Sequence, residues 1–321
     1  ALIVSGEDYG EGASIIQERT LSMAMKFTMW MVDPRPNLTS IVDTVEKAFE
    51  LSEASNTPVI MQLRVRACHV QGRFVSKDNV KPPVNVREKQ KSPAPFNYGR
   101  LAHPPVTFVQ EKLKIDQRLP AAQEYIRESG LNEFFDGDID RLGIIVPGGL
   151  YNALVRRLSR LGLSDDFGDS RLPMLVLNVV HPLLPDQIVD FCAGKDAVLV
   201  LEEGNPEYLE HQINTILRRA DLQTRVHGKD VMPMAGEYNA TVLHEGLLGF
   251  IEAEGLGIGN PEKIRTEAER ILAATSGAQA TFPDPLPPRP PQFCTGCPER
   301  PVFSALKLLQ AEVGKVHIAA D

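Results

Sequence analysis

Phe282-Pro283-Asp284-Pro285-Leu286-Pro287-Pro288-Arg289-Pro290-Pro291-Gln292-Phe293-Cys294-Thr295-Gly296-Cys297-Pro298-Glu299-Arg300 is the stretch on which the reading of this chain turns. Seven prolines fall within the 16 residues from Pro283 to Pro298. Each fixes φ near −65° and removes a backbone donor, so the run reads as a stiff connector. Cys294 and Cys297 then stand at C-x-x-C spacing around Gly296, and a helical run from Pro301 to Ala311 follows. A stiff arm that delivers a thiol pair to the start of a new folding unit marks a boundary carrying chemistry. Most of what precedes it reads as scaffold.

The 321 residues exceed one ordinary domain, so two or three are expected. A hydrophobic content of 43% with 24% charged residues is that of a globular protein. No apolar run approaches the ~18 residues that a membrane span needs. The net charge of −8 excludes broad nucleic-acid binding, which wants a basic surface. Four cysteines (Cys68, Cys192, Cys294, Cys297) are too few for a disulfide scaffold of this size and fit reduced thiols in a cytoplasmic protein. An apolar run at each end, Ala1-Leu2-Ile3-Val4-Ser5-Gly6 and Val316-His317-Ile318-Ala319-Ala320-Asp321, reads as a strand, which leads us to expect an excerpt of a longer polypeptide.

Residues 1–67 alternate strand and helix. Strands are expected at Leu2–Ser5, Thr28–Val32 and Pro58–Leu63, with helices over Ser14–Phe27 and, capped by Asn37, up to about Ser55. The second helix places Ile41, Val45, Ala48, Phe49 and Leu51 largely on one face. Residues 68–140 change character: Lys77, Lys81, Arg87, Lys89 and Lys91 sit among prolines and read as a solvated face, ahead of a helix over Phe108–Leu131 bent or restarted at Pro120. From 141 to 255 strand and helix alternate again. Strands are expected at Leu142–Val146, Met174–Val180, Ala197–Leu201 and Thr224–His227, with helices at Leu150–Leu161, from Pro185 through Phe191, and at Glu207–Arg219. A charged helix follows around Pro261–Ala274. Runs as apolar as Ala197-Val198-Leu199-Val200-Leu201 fit parallel strands buried on both faces.

Several local patterns admit a chemical and a structural reading. The loop Gly6–Gly12 leaves the carboxyl end of a strand, where open α/β sheets bind ligands, but it lacks G-x-G-x-x-G spacing and carries Glu7, Asp8 and Glu11; a tight turn is the simpler reading. Gly148-Gly149 before a helix could cradle a phosphate, although no Lys-Ser/Thr follows. Glu202 and Glu203 end a strand side by side, so they point to opposite faces and read as structural acids, not as a cooperating pair. His181, His211, His227 and His244 are scattered without metal-ligand spacing, and Cys192 reads as packed. The thiols of Cys294 and Cys297 could serve redox chemistry, zinc, or half an iron–sulfur site. A closed zinc site needs four ligands and no second pair exists in the chain, which leaves half a site completed elsewhere or a structural turn.

A family resemblance enters on these motifs. Arg289-Pro290-Pro291-Gln292-Phe293-Cys294-Thr295-Gly296-Cys297-Pro298-Glu299-Arg300 resembles the R-P-P-x-[LF]-C-x-G-C-P-H-R segment of indolepyruvate:ferredoxin oxidoreductases, a thiamine-diphosphate-dependent family of 2-oxoacid oxidoreductases. Ala48-Phe49-Glu50-Leu51-Ser52 with Thr57-Pro58-Val59-Ile60, the stretch Leu142–Tyr151, and Val200-Leu201-Glu202-Glu203 are similar to further segments of that family, in its order, over about 250 residues. Glu299 departs from the family histidine.

The resemblance implies an α/β, multidomain fold of three-layer sandwiches with mostly parallel sheets. Residues 1–70 would be the C-terminal part of a pyrimidine-binding domain, and 71–140 an extended connector with a helix. Residues 141–281 would be a transketolase C-terminal-like domain, 282–292 the proline linker, and 293–321 the start of the diphosphate-binding domain. It implies oxidative decarboxylation of aryl pyruvates (a 2-oxoacid such as indolepyruvate) with coenzyme A, passing electrons to ferredoxin in a homo- or hetero-oligomer. The cofactors implied are thiamine diphosphate, Mg2+ and a [4Fe–4S] cluster. Cys294, Gly296, Cys297 and Asp321 would lie near the thiamine diphosphate, and Cys294 and Cys297 would be cluster ligands. The activating glutamate is expected upstream of Ala1 and the magnesium motif after Asp321, so the catalytic groups are expected outside these residues. The competing readings are a non-redox thiamine-diphosphate decarboxylase or transketolase relative, and a non-catalytic α/β scaffold with a zinc knuckle.

Overall fold

The computed structural model describes residues 1–9, 19–80, 87, 90–91, 96–165, 167–255, 261–281 and 299–317. The proline linker 282–292, the Gly10–Gly12 end of the first loop, and Cys294, Gly296, Cys297 and Asp321 lie outside the described residues. The chain divides into two compact units, Ala1–Ala273 and Ala274–Asp321.

The first unit is α/β and built on two sheets. The four-stranded sheet has the order β1-β3-β2-β7, from β1 (Leu2–Glu7), β2 (Trp30–Val32), β3 (Val59–Arg64) and β7 (Val179–His181). The five-stranded sheet has the order β4-β6-β5-β8-β9, from β4 (Glu133–Phe135), β5 (Leu142–Pro147), β6 (Met174–Leu177), β8 (Ala197–Val200) and β9 (Arg225–His227). Pairing is parallel except β2 with β7 and β4 with β6.

Alternation along the strands sorts side chains into three apolar layers, as a period of two requires. Ile145, Leu175, Val198 and Val200 of the larger sheet and Met31 and Ile60 of the smaller one face a shared middle layer. There they meet the helices Thr20–Phe27, Pro185–Cys192 and Tyr208–Arg219. The intervening residues Leu142, Ile144, Val176 and Leu199 face outward onto the helices Tyr151–Arg160 and Ala240–Ala253. Trp30, Val32, Val59 and Met61 pack against the helices Leu38–Ser55 and Leu119–Glu128. All six residues of β5 are buried, which explains its nearly unbroken apolar sequence.

Several expectations are corrected. The helix anticipated from Ser14 begins at Thr20, because Arg19 adopts a left-handed backbone (φ 54°) that an α-helix cannot pass through. Thr28, also left-handed at φ 49°, closes that helix and delays β2 to Trp30. Asn37 caps the next helix as expected, its Oδ1 accepting from the Ser40 N–H at 2.9 Å. Phe49, however, is exposed, while Thr44, Ser52 and Ser55 share the buried face with Ala48 and Leu51. The Phe108–Leu131 helix runs as Val106–Leu113 and Leu119–Glu128 joined by a π turn, Lys114–Arg118, just before Pro120. The Pro261 helix extends to Ala280, and the last helix spans Glu299–Val313. Val316 and His317 form no strand, and 318–321 lie outside the described residues. β4 and the helix Ala240–Ala253 had no counterpart in the sequence reading.

The most informative correction concerns Met174–Val180, which reads as one strand and is two. β6 belongs to the larger sheet and β7 to the smaller, with Asn178 between them. The Asn178 side chain explains the break. Its Nδ2 donates to Leu131 O and to Glu133 Oε2, both at 2.8 Å, and its Oδ1 accepts from the Arg35 N–H at 3.2 Å. Its own carbonyl accepts from Asp33 N–H at 2.9 Å, stitching the two sheets together at the break. Asn178→Ala leaves buried backbone groups of Leu131 and Arg35 without these partners, and we expect a loss of about 2–3 kcal/mol. Urea unfolding checks this; an unchanged midpoint would show that the break is set elsewhere.

Candidate functional site

The carboxyl ends of β1, β2, β3, β5 and β8 converge, and at each end or within two residues after it stands a charged residue or a glycine. β3 ends in Arg64, whose guanidinium is buried against two acids. Its Nη2 donates to Asp33 Oδ2 at 2.7 Å and its Nε to the same oxygen at 3.2 Å, while Nη1 pairs with Glu203 Oε2. Asp33 follows β2 in the smaller sheet and Glu203 follows β8 in the larger, so one cation joins both. Asp33, Glu203 and Arg64 are all buried. Burial works against the Arg64 charge, yet Asp33, with Tyr9 and Glu7 beside it, more than compensates and raises its pKa. Tyr9 lies under the same guanidinium, 5.1 Å from its ring centroid, and donates to Gln62 Oε1 at 3.3 Å. Burial pushes the Tyr9 phenol above its ordinary pKa.

Two further carboxylates at this edge sit on helix N-termini, where unpaired N–H groups and the helix dipole favour negative charge. Glu7, the last residue of β1, accepts from Thr20 N–H at 2.8 Å and from Thr20 Oγ1 at 2.7 Å. Glu202 accepts from Leu209 N–H at 2.8 Å and Glu210 N–H at 3.2 Å. Burial pushes Glu202 up to about 7 against those donors. Beside it Lys229 Nζ donates to Glu202 O at 2.5 Å and to Tyr238 Oη at 2.7 Å, and burial lowers its pKa to about 8. Glu203 takes a different partner, Tyr238 N–H at 2.6 Å. The two adjacent glutamates therefore point apart, each with a structural task, as their position on a strand end predicts.

Gly148 and Gly149 do not form an open phosphate cradle. A Cβ on Gly149 would stand 2.3 Å from Arg64 Nε and 2.4 Å from Asp33 Oδ1; on Gly148 it would stand 2.3 Å from Asp33 O and 2.4 Å from Asn178 Oδ1. Both glycines are there to let the larger sheet approach the ion cluster. The cleft beside it, lined by Tyr9, Arg19, Asp33, Arg64, Glu202 and Glu203 among others, encloses ≈ 430 Å³ between atoms. Only ≈ 30 Å³ of that admits the centre of a water molecule. The smaller value governs what can enter, and it corresponds to about two waters.

Among the described residues no group of three His, Cys, Asp or Glu is placed to hold a metal, and no helix is long and apolar enough to cross a membrane. His181 is held neutral by burial, with a pKa of about 4. Cys192 is buried, which pushes its thiol up to about 12. Lys77 pairs with Glu46 on the surface, in keeping with a solvated face. The sequence reading overlooked Asp33, Arg64, Tyr9 and Lys229. The available signal was a lone arginine closing a strand otherwise without charge, Val59-Ile60-Met61-Gln62-Leu63-Arg64.

Residues 132–240, which carry β4 to β9 and the glutamate pair, match the family model described as the indolepyruvate ferredoxin oxidoreductase middle domain. Over these residues the chain is similar to that family. It is similar to the indolepyruvate oxidoreductase subunit IorA of Methanothermobacter thermautotrophicus, at 28% identity over 272 residues that cover 83% of this chain and 38% of that protein. The IorA subunit of Pyrococcus horikoshii aligns at 24% identity over 313 residues, 95% of this chain and 44% of that one. The chain thus spans about two fifths of the length of these curated relatives. Among solved structures, 2-oxoglutarate:ferredoxin oxidoreductase from Magnetococcus marinus superposes with a TM-score of 0.49 at 12% identity, covering 79% of this chain and 48% of the other.

Arg64→Met strands two buried carboxylates, and we expect it to cost roughly 3–5 kcal/mol at neutral pH. The deficit shrinks as pH falls, because buried carboxylates left without their cation regain stability by taking up protons. Denaturant unfolding of both proteins from pH 5 to 8 measures this; a deficit independent of pH contradicts it.

Proposed function

We propose that this chain is the framework portion of a 2-oxoacid:ferredoxin oxidoreductase that oxidatively decarboxylates aryl pyruvates with coenzyme A and reduces ferredoxin. The observation that carries the reading is the match of residues 132–240 to the indolepyruvate ferredoxin oxidoreductase middle domain, with IorA subunits aligning along most of the chain on either side. On this reading residues 1–70 belong to a pyrimidine-binding domain, 141–281 to a transketolase C-terminal-like domain, and 293–321 open the diphosphate-binding domain. The word "subunit" in the relatives' names supports assembly into a larger oligomer.

Thiamine diphosphate, when bound in such an enzyme, supplies the electron sink for decarboxylation. The described residues do not compose a site for it. The acids at the carboxyl edge are committed to Arg64 and to two helix N-termini, and the cleft beside them admits about two waters. No step of the chemistry therefore falls to these side chains, whose part is to hold the two sheets in register. Cys294 and Cys297 as cluster ligands, and Gly296 and Asp321 near the cofactor, remain part of the proposal.

The test is anaerobic purification of the polypeptide that contains this sequence, with its partner subunits, followed by an assay of 2-oxoacid-dependent reduction of a viologen dye. Indolepyruvate with coenzyme A, thiamine diphosphate and Mg2+ should support reduction, whereas the 321-residue chain alone should show none. Release of carbon dioxide without dye reduction would point instead to a non-redox decarboxylase. Activity from the isolated chain would overturn its role as framework.

A further inference from the structure

At the edge strand β9, His227 has a carboxylate on each ring nitrogen. Nδ1 lies 2.6 Å from Asp230 Oδ2, and Nε2 lies 2.9 Å from Glu254 Oε1. A neutral imidazole has one N–H, so only the imidazolium can donate to both. The surrounding charges agree with that form. From β9 itself Arg225 donates to Glu254 through Nε at 3.0 Å and Nη2 at 2.5 Å. At the amino end of β5 Arg141 donates to the Glu254 carbonyl at 3.1 Å and to Asp196 at 3.3 Å. The Ala240–Ala253 helix contributes Phe250, edge-on with ring centroids 5.5 Å apart. Counting Asp230, Glu254, Arg225 and His227, the cluster is neutral with the imidazolium and carries one negative charge without it.

The two carboxylates are not equivalent. The Glu254 side chain is 2% exposed and held by Arg225, whereas that of Asp230 is 54% exposed and belongs to the short turn after β9. Loss of the ring proton leaves the remaining N–H on Glu254, because the buried acid cannot turn to water and Asp230 can. The turn so released contains Lys229, whose Nζ reaches back to Glu202 O, Pro233 O and Tyr238 Oη. We propose that His227 is a proton-operated clamp, which as the imidazolium fastens the 228–232 turn over the carboxyl end of β8 and on deprotonation lets it go.

Burial opposes the charge, but hydrogen bonds to Glu254 and Asp230 outweigh it and raise the His227 pKa. A raised pKa in the folded state means that the stabilisation is complete below the ordinary value of about 6.5 and is lost as pH rises through the folded value. The clamp is therefore closed on the acid side and opens on the alkaline side.

Ring-nitrogen NMR of the 321-residue chain, with hydrogen-exchange protection of residues 228–232, tests this between pH 6 and 9. We expect both His227 nitrogens to be protonated at pH 6.5 and the ring to titrate above that. Over the interval between the ordinary and the raised pKa, protection of the turn should fall by up to about tenfold per pH unit. In His227→Gln the loss of protection should be smaller than in the unaltered chain, the remainder coming from Lys229 of the same turn, whose pKa of about 8 falls in this range. A ring that titrates at or below 6.5, or a loss of protection in His227→Gln as large as in the unaltered chain, overturns the proposal, and the ring titration of the unaltered chain decides it even if the variant folds poorly.

Discussion

One guanidinium, Arg64, is shared by a carboxylate from each sheet. Burying three ions is costly, and their mutual attraction offsets the cost only where geometry and hydrogen bonding are good. The surrounding sequence supplies that geometry. Gly148 and Gly149 let β5 come within reach of Asp33 and Arg64, Asn178 passes the chain from one sheet to the other beside them, and Tyr9 lies under the charge. The carboxyl edges of both sheets are thereby held together, and the helix Thr20–Phe27 is shut into the middle layer with Leu21 and Ala24 packed there.

The same commitment occupies the acids of this edge. Asp33 and Glu203 are spent on Arg64, while Glu7 and Glu202 cap helices through backbone N–H groups. A carboxylate engaged in this way is a poor general base, since its lone pairs are already taken. In open α/β folds the carboxyl edge is the usual place for a ligand, and here it is filled by side chains.

Much of this architecture was legible in the sequence because its causes are local or compositional. Ala197-Val198-Leu199-Val200-Leu201 announces a doubly covered strand, Asn37 a helix start, and adjacency on a strand end separates Glu202 from Glu203. The failures share a cause in distant partners. Nothing in Met174–Val180 shows that Asn178 finds Leu131, Glu133 and Arg35, which together divide the strand between two sheets. Nor does any neighbour of Arg19 require its left-handed backbone, although Glu7, brought close by β1, accepts from the Arg19 N–H at 3.2 Å. Phe49 was assigned to the core from periodicity, yet the polar Thr44, Ser52 and Ser55 occupy that face. For the site, the motifs resemble the family whose middle-domain model matches residues 132–240, while the thiol pair they centre on lies outside the described residues.

The central claim is that Arg64 couples the two sheets through Glu203. A double-mutant cycle on Arg64→Met and Glu203→Gln, read by denaturant unfolding at neutral pH, addresses it directly. The account predicts a coupling of about 1–3 kcal/mol, with the pair of changes costing less than the sum of the two alone. Strict additivity within about 0.5 kcal/mol would mean that the two groups fold independently and that the sheets are joined by packing alone.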